Sequence, residues 1–373
     1  MADGGADAAT DSDAGPLPSS SRDDVVVLTD DIEIEFVSGH AGRVAFEVPE
    51  DALSVVVSIV GDAGVFYTLS EWKNGDGSVV VPSSWLSNDQ AAPSLCLSCP
   101  NRIASSEASF AALLPNNEST ELVAGTHNIS MYAYAMSGFS ALPLQSGTAT
   151  LRVVAKLRPS APEAGILDIN FHFTGAAGLT AASAPDDPVF QASLDSLREL
   201  YATAGIELGT LTYTDIPSEF RVIESVVVPK SDLQEMFALS RDQPRAALNV
   251  FIVEELLTGI GNFGVLLGVS GGIPGPPMAA TLRSGVAIAT KRSPEVQTAM
   301  FKVLGHEMGH HLGLFHTSEQ DLGFGPAIHD PIGDTAEDDA SFLMFNTGEG
   351  TTISVTQAEV MRANPWIRHE GGE

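Results

Sequence analysis

The segment His306-Glu307-Met308-Gly309-His310-His311-Leu312-Gly313-Leu314-Phe315-His316 constrains this chain more than any other. Val296, Met300, Val303 and Leu304 lead into it at helical spacing, and Ser293-Pro294-Glu295 carries the cap and charge signals of a helix start. On a helix, His306 and His310 stand one turn apart on one face, so their imidazoles can converge on one ion. Glu307, offset by one residue, sets a carboxylate beside that ion without ligating it. Gly313 is a natural left-handed helix stop, and the turn it permits lets His316 swing back as a third ligand. Three neutral imidazoles leave a fourth position for water, which is the open arrangement of a catalytic zinc site. His311 points about 100° away from His310 and reads as a bystander.

The remainder of the chain divides by texture. Residues 1–24 are mostly Ala, Asp, Gly, Ser and Pro, with no basic or apolar leader segment. They are expected to be a disordered tether, of the kind an exported protein carries after its signal is removed; a cytosolic tail would look the same. Residues 25–157 read as a β-sandwich accessory domain. Asp31–Val37 and Arg43–Val48 alternate at period two, Leu53–Val60, Asn128–Tyr134 and Ala149–Ala155 are further strands, and Asn74-Gly75-Asp76-Gly77 is a hairpin turn before Val79–Val81. The Pro-rich stretch Arg158–Gly165 marks a boundary. Residues 165–373 then read as α/β (α+β): strands at Ile166–Phe173, Ile206–Thr214, Phe220–Val228, Leu248–Val253 and Gly285–Thr290, and a helix over 187–204 ended by Gly205. Residues 259–285, rich in Gly and Pro, look long and partly ordered. Ser354 and Gln357 form a capping box for a helix that stops before Asn364-Pro365.

Charge excludes several functions. Charged residues are 18% of the 373, yet the net charge is −30. That balance lacks the basic footprint nucleic acid requires and disfavours anionic lipid surfaces. It reads as solubility, or as a preference for basic substrates or calcium. No apolar stretch reaches the ~20 residues of a membrane span. Cys96 and Cys99 supply half of a zinc site at most, so they read as a short disulfide in an oxidising compartment; a latency role, one thiolate masking the metal, is the alternative. The acidic run Glu319, Asp321, Asp330, Asp334, Glu337, Asp338 and Asp339 does not fit an EF-hand. It reads as a solvated loop, with calcium at Asp330 and Asp334 as the functional alternative.

The string H-E-x-x-H-x-x-G-x-x-H resembles that of the metzincin zinc metallopeptidases. Ser341-Phe342-Leu343-Met344-Phe345-Asn346 stands where that family has its Met-turn, and Asp334-Thr335 with Thr356-x-x-x-x-Met361-Arg362 resembles the pappalysin branch and metzincin-type bacterial envelope lipoproteins. The resemblance covers roughly residues 165–368. It implies a metzincin-like catalytic domain, one zinc per chain on His306, His310 and His316, Glu307 as general base, and Met344 as an apolar floor that is not a ligand. Asn346 stands where many metzincins place an oxyanion-stabilising tyrosine. Asp334-Thr335-Ala336 replaces the usual Asp-Thr-Pro, and the cysteines of a pappalysin catalytic domain are missing. The expected activity is endopeptidase hydrolysis of extracellular proteins, with substrate held by an edge strand within 259–285 and the protein secreted or fixed to the cell envelope by a lipid anchor on its precursor. The alternative is a surface-binding or adhesion protein on a degenerate metzincin scaffold.

Overall fold

The structure is a computed structural model. It describes residues 22–369 apart from 88–94, 97–98, 100, 139, 160–162, 227–230, 243–246, 260–264, 278–280, 291–299 and 321–326. The expected tether lies almost wholly outside the described residues, as does the expected helix start at Ser293-Pro294-Glu295. Among the described residues no helix is long and apolar enough to cross a membrane.

The period-two segments of the N-terminal half form one antiparallel 11-stranded sheet. Val25–Val37 runs the length of Ser146–Leu157, from Val25 opposite Lys156 to Val37 opposite Ser146. Ser146–Leu157 pairs on its other side with Ala52–Gly61, which pairs with Ser109–Leu114. In the other direction His40–Ala41 leads to Gly125–Ser137 and Val65–Lys73. The hairpin expected at Asn74–Gly77 is present, with Trp72 opposite Val81. The fold is compatible with the expected sandwich, its hydrogen-bond ladder running continuously around one core. Its two ends approach because Ser106–Glu107 pairs with Val65–Lys73 before Ser109–Leu114 joins Ala52–Gly61. The switch falls at Ala108, held at φ 63°. Val57, Ile59, Tyr67, Leu69, Trp72, Phe110, Met131 and Leu151 fill the interior.

The C-terminal half is built on a six-stranded sheet in the order Ile206–Asp215, Gly165–Phe173, Leu248–Val253, Val286–Ala289, Gly268–Ser270, with Ile367–Arg368 added to Gly165–Phe173. The first four are mutually parallel, and Gly268–Ser270 is antiparallel at the edge. Parallel neighbours need a crossover, and the helix Pro188–Ala202 supplies the first. Asp187 caps it by accepting from the Val189 and Phe190 amides, and Gly205 follows at φ 69°. All six residues of Leu248–Val253 are buried, as a strand covered on both faces requires. Of the expected strand over 220–228, of which 227–228 lie outside the described residues, Val222–Ile223 is a strand, and Ser218–Arg221 before it winds into a 3-10 turn after Pro217. The Gly/Pro-rich 259–285 is more regular than its composition indicates: it contributes Val265–Leu266 and the edge strand Gly268–Ser270.

The two halves share a core. Along Ala52–Gly61, Val55, Val57 and Ile59 point into the N-terminal interior, while Val56 and Val60 join Leu312, Leu314, Met344, Val360 and Met361. Ala111, Leu113 and Val154 take part in the same way. A strand buried on both faces has no reason to alternate, which is why this segment is an almost unbroken apolar run.

Candidate metal centre

The helix Met300–His311 carries the first two histidines. It lies close to Pro188–Ala202 because Gly305 has no side chain: a Cβ there would stand 2.9 Å from Leu200 Cδ2, and the Gly305 carbonyl accepts from Tyr201 Oη at 3.0 Å. Gly313 ends the helix at φ 114°, its amide bonding back to the His310 carbonyl and that of Leu314 to Gly309. The chain reverses, and His306, His310 and His316 come together as the single group of three or more ligand-type side chains among the described residues.

Their Nδ1 partners decide which nitrogen faces inward. His306 Nδ1 lies 2.7 Å from the Leu343 carbonyl, and His310 Nδ1 2.7 Å from the Leu314 carbonyl. His316 Nδ1 lies 2.8 Å from Glu319 Oε2. Carbonyl and carboxylate oxygens only accept, so each Nδ1 donates and each Nε2 keeps a lone pair. The Nε2 atoms of His306 and His310 lie 3.2 and 3.1 Å from that of His316. Three lone pairs facing one another repel unless a cation sits among them. Ligand nitrogens ~2.0–2.1 Å from a tetrahedral ion are about 3.3 Å apart, so the donor set fits a divalent metal. Burial, with the neighbouring His316, holds His306 at about 4, and burial pushes His310 well below the usual range. Both are therefore neutral near pH 7, as ligation requires.

Glu307 is half-buried on the wall of a cavity of about 410 Å³ that also holds the three histidines, Ser270 and Asn346. Burial pushes its carboxyl up to about 8 against the opposing Ser270 backbone amide; a dication beside it would favour the ionised form. A Cβ on Gly268 would fall 2.6 Å from Glu307 Cγ, so the edge strand's bare backbone makes room for this carboxylate.

Met344 is fully buried, and its sulfur lies beneath the motif helix, 2.6 Å from where a Gly309 Cβ would be. The same turn supplies the Leu343 carbonyl to His306, and the Met344 carbonyl accepts from the Thr317 amide. Asn346 is exposed at the cavity mouth. Asp330 and Asp334 do different work. Asp330 Oδ1 accepts from Thr335 Oγ1 at 2.6 Å, and Asp334 Oδ2 accepts from the Thr356 amide at 3.0 Å, within the first turn of the helix Val355–Ala363. Among the described residues no metal-ligand cluster includes either. His311 is buried away from the triad, with its ring against Gly275. Cys99 is disulfide-bonded, and Cys96 is the one other cysteine in the sequence.

Sequence reasoning missed Glu319, which it assigned to a solvated acidic loop. The available signal was a carboxylate three residues beyond the third histidine. It also left Ser270 and Arg102 unassigned, and nothing local to either marks it.

No protein-family model matches the sequence, and no curated protein matches it. Among solved structures, the chain is similar to metalloproteinase-II from Bacteroides fragilis, with 14% identity, 50% of this chain and 60% of that chain covered, and a TM-score of 0.28. It is similar also to an active-site mutant of a family two carbohydrate esterase from Clostridium thermocellum, with 9% identity, 61% and 64% covered, and a TM-score of 0.17. An acetyl xylan esterase from Butyrivibrio proteoclasticus follows at 11% identity, 52% and 47% covered, and 0.17. The chain thus spans about three fifths of the Bacteroides protein's length, and at TM-scores this low the chemistry of the site rests on its own geometry.

Proposed function

We propose that this protein is a zinc-dependent endopeptidase of metzincin type, acting on extracellular proteins as a secreted or envelope-bound enzyme, with residues 25–157 as a β-rich accessory domain and 165–373 as the catalytic domain. One observation carries the reading: three inward-facing Nε2 lone pairs, each oriented by an Nδ1 bond, beside a half-buried glutamate that is adjacent in sequence to the first histidine.

His306, His310 and His316 would hold the metal. Bound zinc supplies Lewis acidity, polarising a scissile carbonyl and lowering the pKa of a water. Glu307 accepts the proton of the attacking water and returns it to the leaving amine. Gly268–Ser270, antiparallel at the sheet edge, offers backbone groups to an extended substrate, which runs past Glu307 because Gly268 is bare. Met344 packs beneath the ligand-bearing helix, and Asn346, which lines the same cavity, would donate to a developing oxyanion.

The test is metal analysis with digestion of a peptide library, repeated with a chelator and with Glu307→Ala. We expect one zinc per chain and internal cleavage that both treatments abolish. Zinc binding without cleavage would favour the binding-protein alternative, and absence of zinc would remove both readings.

A further inference from the structure

The N-terminal sheet reaches the histidine triad through one side chain. Arg102 precedes the short strand Ile103–Ala104 and is 1% exposed. Its own half pins its backbone: the Arg102 carbonyl accepts from Asn116 Nδ2 at 2.7 Å, and Asn101 Oδ1 accepts from the Asn116 amide at 3.2 Å. The guanidinium leaves that half. Nη2 donates to the His329 carbonyl at 3.2 Å, Cζ lies 5.6 Å from the Phe315 ring centroid, and Nη1 is 3.8 Å from Glu319 Oε1. Glu319 spends its other oxygen on His316 Nδ1 at 2.8 Å.

Arg102 thus touches the residue before the third histidine and the carboxylate that orients it. A guanidinium stays charged, and buried in this way it needs a counter-charge. The difference from the other ligands is specific. His306 and His310 lean on backbone carbonyls of their own half, whereas His316, beyond the helix break, leans on a side chain free to rotate.

We propose that Arg102 is a positioning residue of the metal centre: through Glu319 it fixes the tautomer and aim of His316, so the N-terminal sheet forms part of the site. The inference rests on the metal-centre reading above. Partners of this kind tune metal affinity by about 10–100-fold.

The test measures zinc affinity of the full-length protein by competition with a chromophoric chelator, alongside melts of each apo variant. Glu319→Gln is expected to weaken binding about 10–100-fold and Arg102→Met about 10-fold, with the double variant no weaker than Glu319→Gln alone. The visible band of the cobalt-loaded protein reports ligand geometry and should shift in both single variants, which a loss of fold stability alone would not produce. Arg102→Lys keeps the buried charge and is read where Arg102→Met does not fold. It lacks the planar fork that spans Phe315, Glu319 and the His329 carbonyl, so binding should weaken severalfold. Any folded Arg102 variant that binds zinc within twofold of the wild type, with an unshifted cobalt band, overturns the proposal. A wild type that binds no zinc overturns the metal-centre reading and the proposal with it.

Discussion

Lys156→Met tests whether the two halves unfold as one. Lys156 sits on the N-terminal strand Ser146–Leu157 and is fully buried. Its ammonium has three donors and meets three carbonyls, those of Arg362, Asn364 and Ile367, the last two at 3.1 and 2.7 Å. These oxygens belong to the end of the C-terminal helix Val355–Ala363 and its exit, where the helix dipole favours a cation. Methionine keeps the volume, so no cavity term enters. Three charge-assisted bonds at about 1.5–3 kcal/mol each are lost, and the several kcal/mol of desolvating the ammonium are recovered. The three carbonyls remain dry and unpaired at about 1–3 kcal/mol each, so that after the recovered desolvation the net is about 3–5 kcal/mol of destabilisation. For one cooperative unit of this length that corresponds to a drop of roughly 4–6 °C in the melting midpoint. The assay is tryptophan emission in two reporters that retain only Trp72, in the N-terminal core, or only Trp366, beside the C-terminal helix. Both should show one transition at one temperature, and Lys156→Met should move both together. Separate transitions, a shift confined to Trp72, or a stabilised variant would refute the reasoning.

Four further outcomes follow from the same geometry. Gly268→Val forces Glu307 aside, since even its Cβ would be 2.6 Å from Glu307 Cγ; zinc content should hold while kcat falls by about 10²-fold or more, as loss of a general base does, and undiminished turnover would exclude Glu307 from that role. Ser354→Ala breaks the capping box with Gln357, yet Asp334 still accepts from the Thr356 amide, so chemical denaturation should show the low end of a cap loss, about 0.5–1 kcal/mol. His172 is fully buried, stacked on Phe251, and held at about 4 by burial. The unfolded chain therefore binds its proton first as pH falls, and up to about 3 kcal/mol of stability present above pH ~6.5 is lost toward pH 4; denaturation at pH 7 and 4.5 should show a smaller loss in His172→Gln. Chelation should lower the melting midpoint relative to protein held at a thousandfold excess of zinc over its Kd, where binding contributes about 4 kcal/mol, and an unchanged midpoint would count against metal binding at the triad.

The histidine string was readable in the sequence because its geometry is local. A pitch of 3.6 residues brings His306 beside His310, and a glycine that tolerates φ 114° turns the chain for His316. The capping box at Ser354 was readable for the same reason: it closes within three residues of itself. Period-two alternation revealed the N-terminal strands. What joins them was decided only in the tertiary structure, since a continuous ladder closed through Ser106–Leu114 depends on pairings between distant segments. The burial of Val56, Val60 and Leu113 against the C-terminal half and the reach of Arg102 to Glu319 across 217 residues are of that kind. Sequence spacing encodes contacts along one helix or turn; contacts between elements depend on how their faces pack, and no local pattern of residues records that.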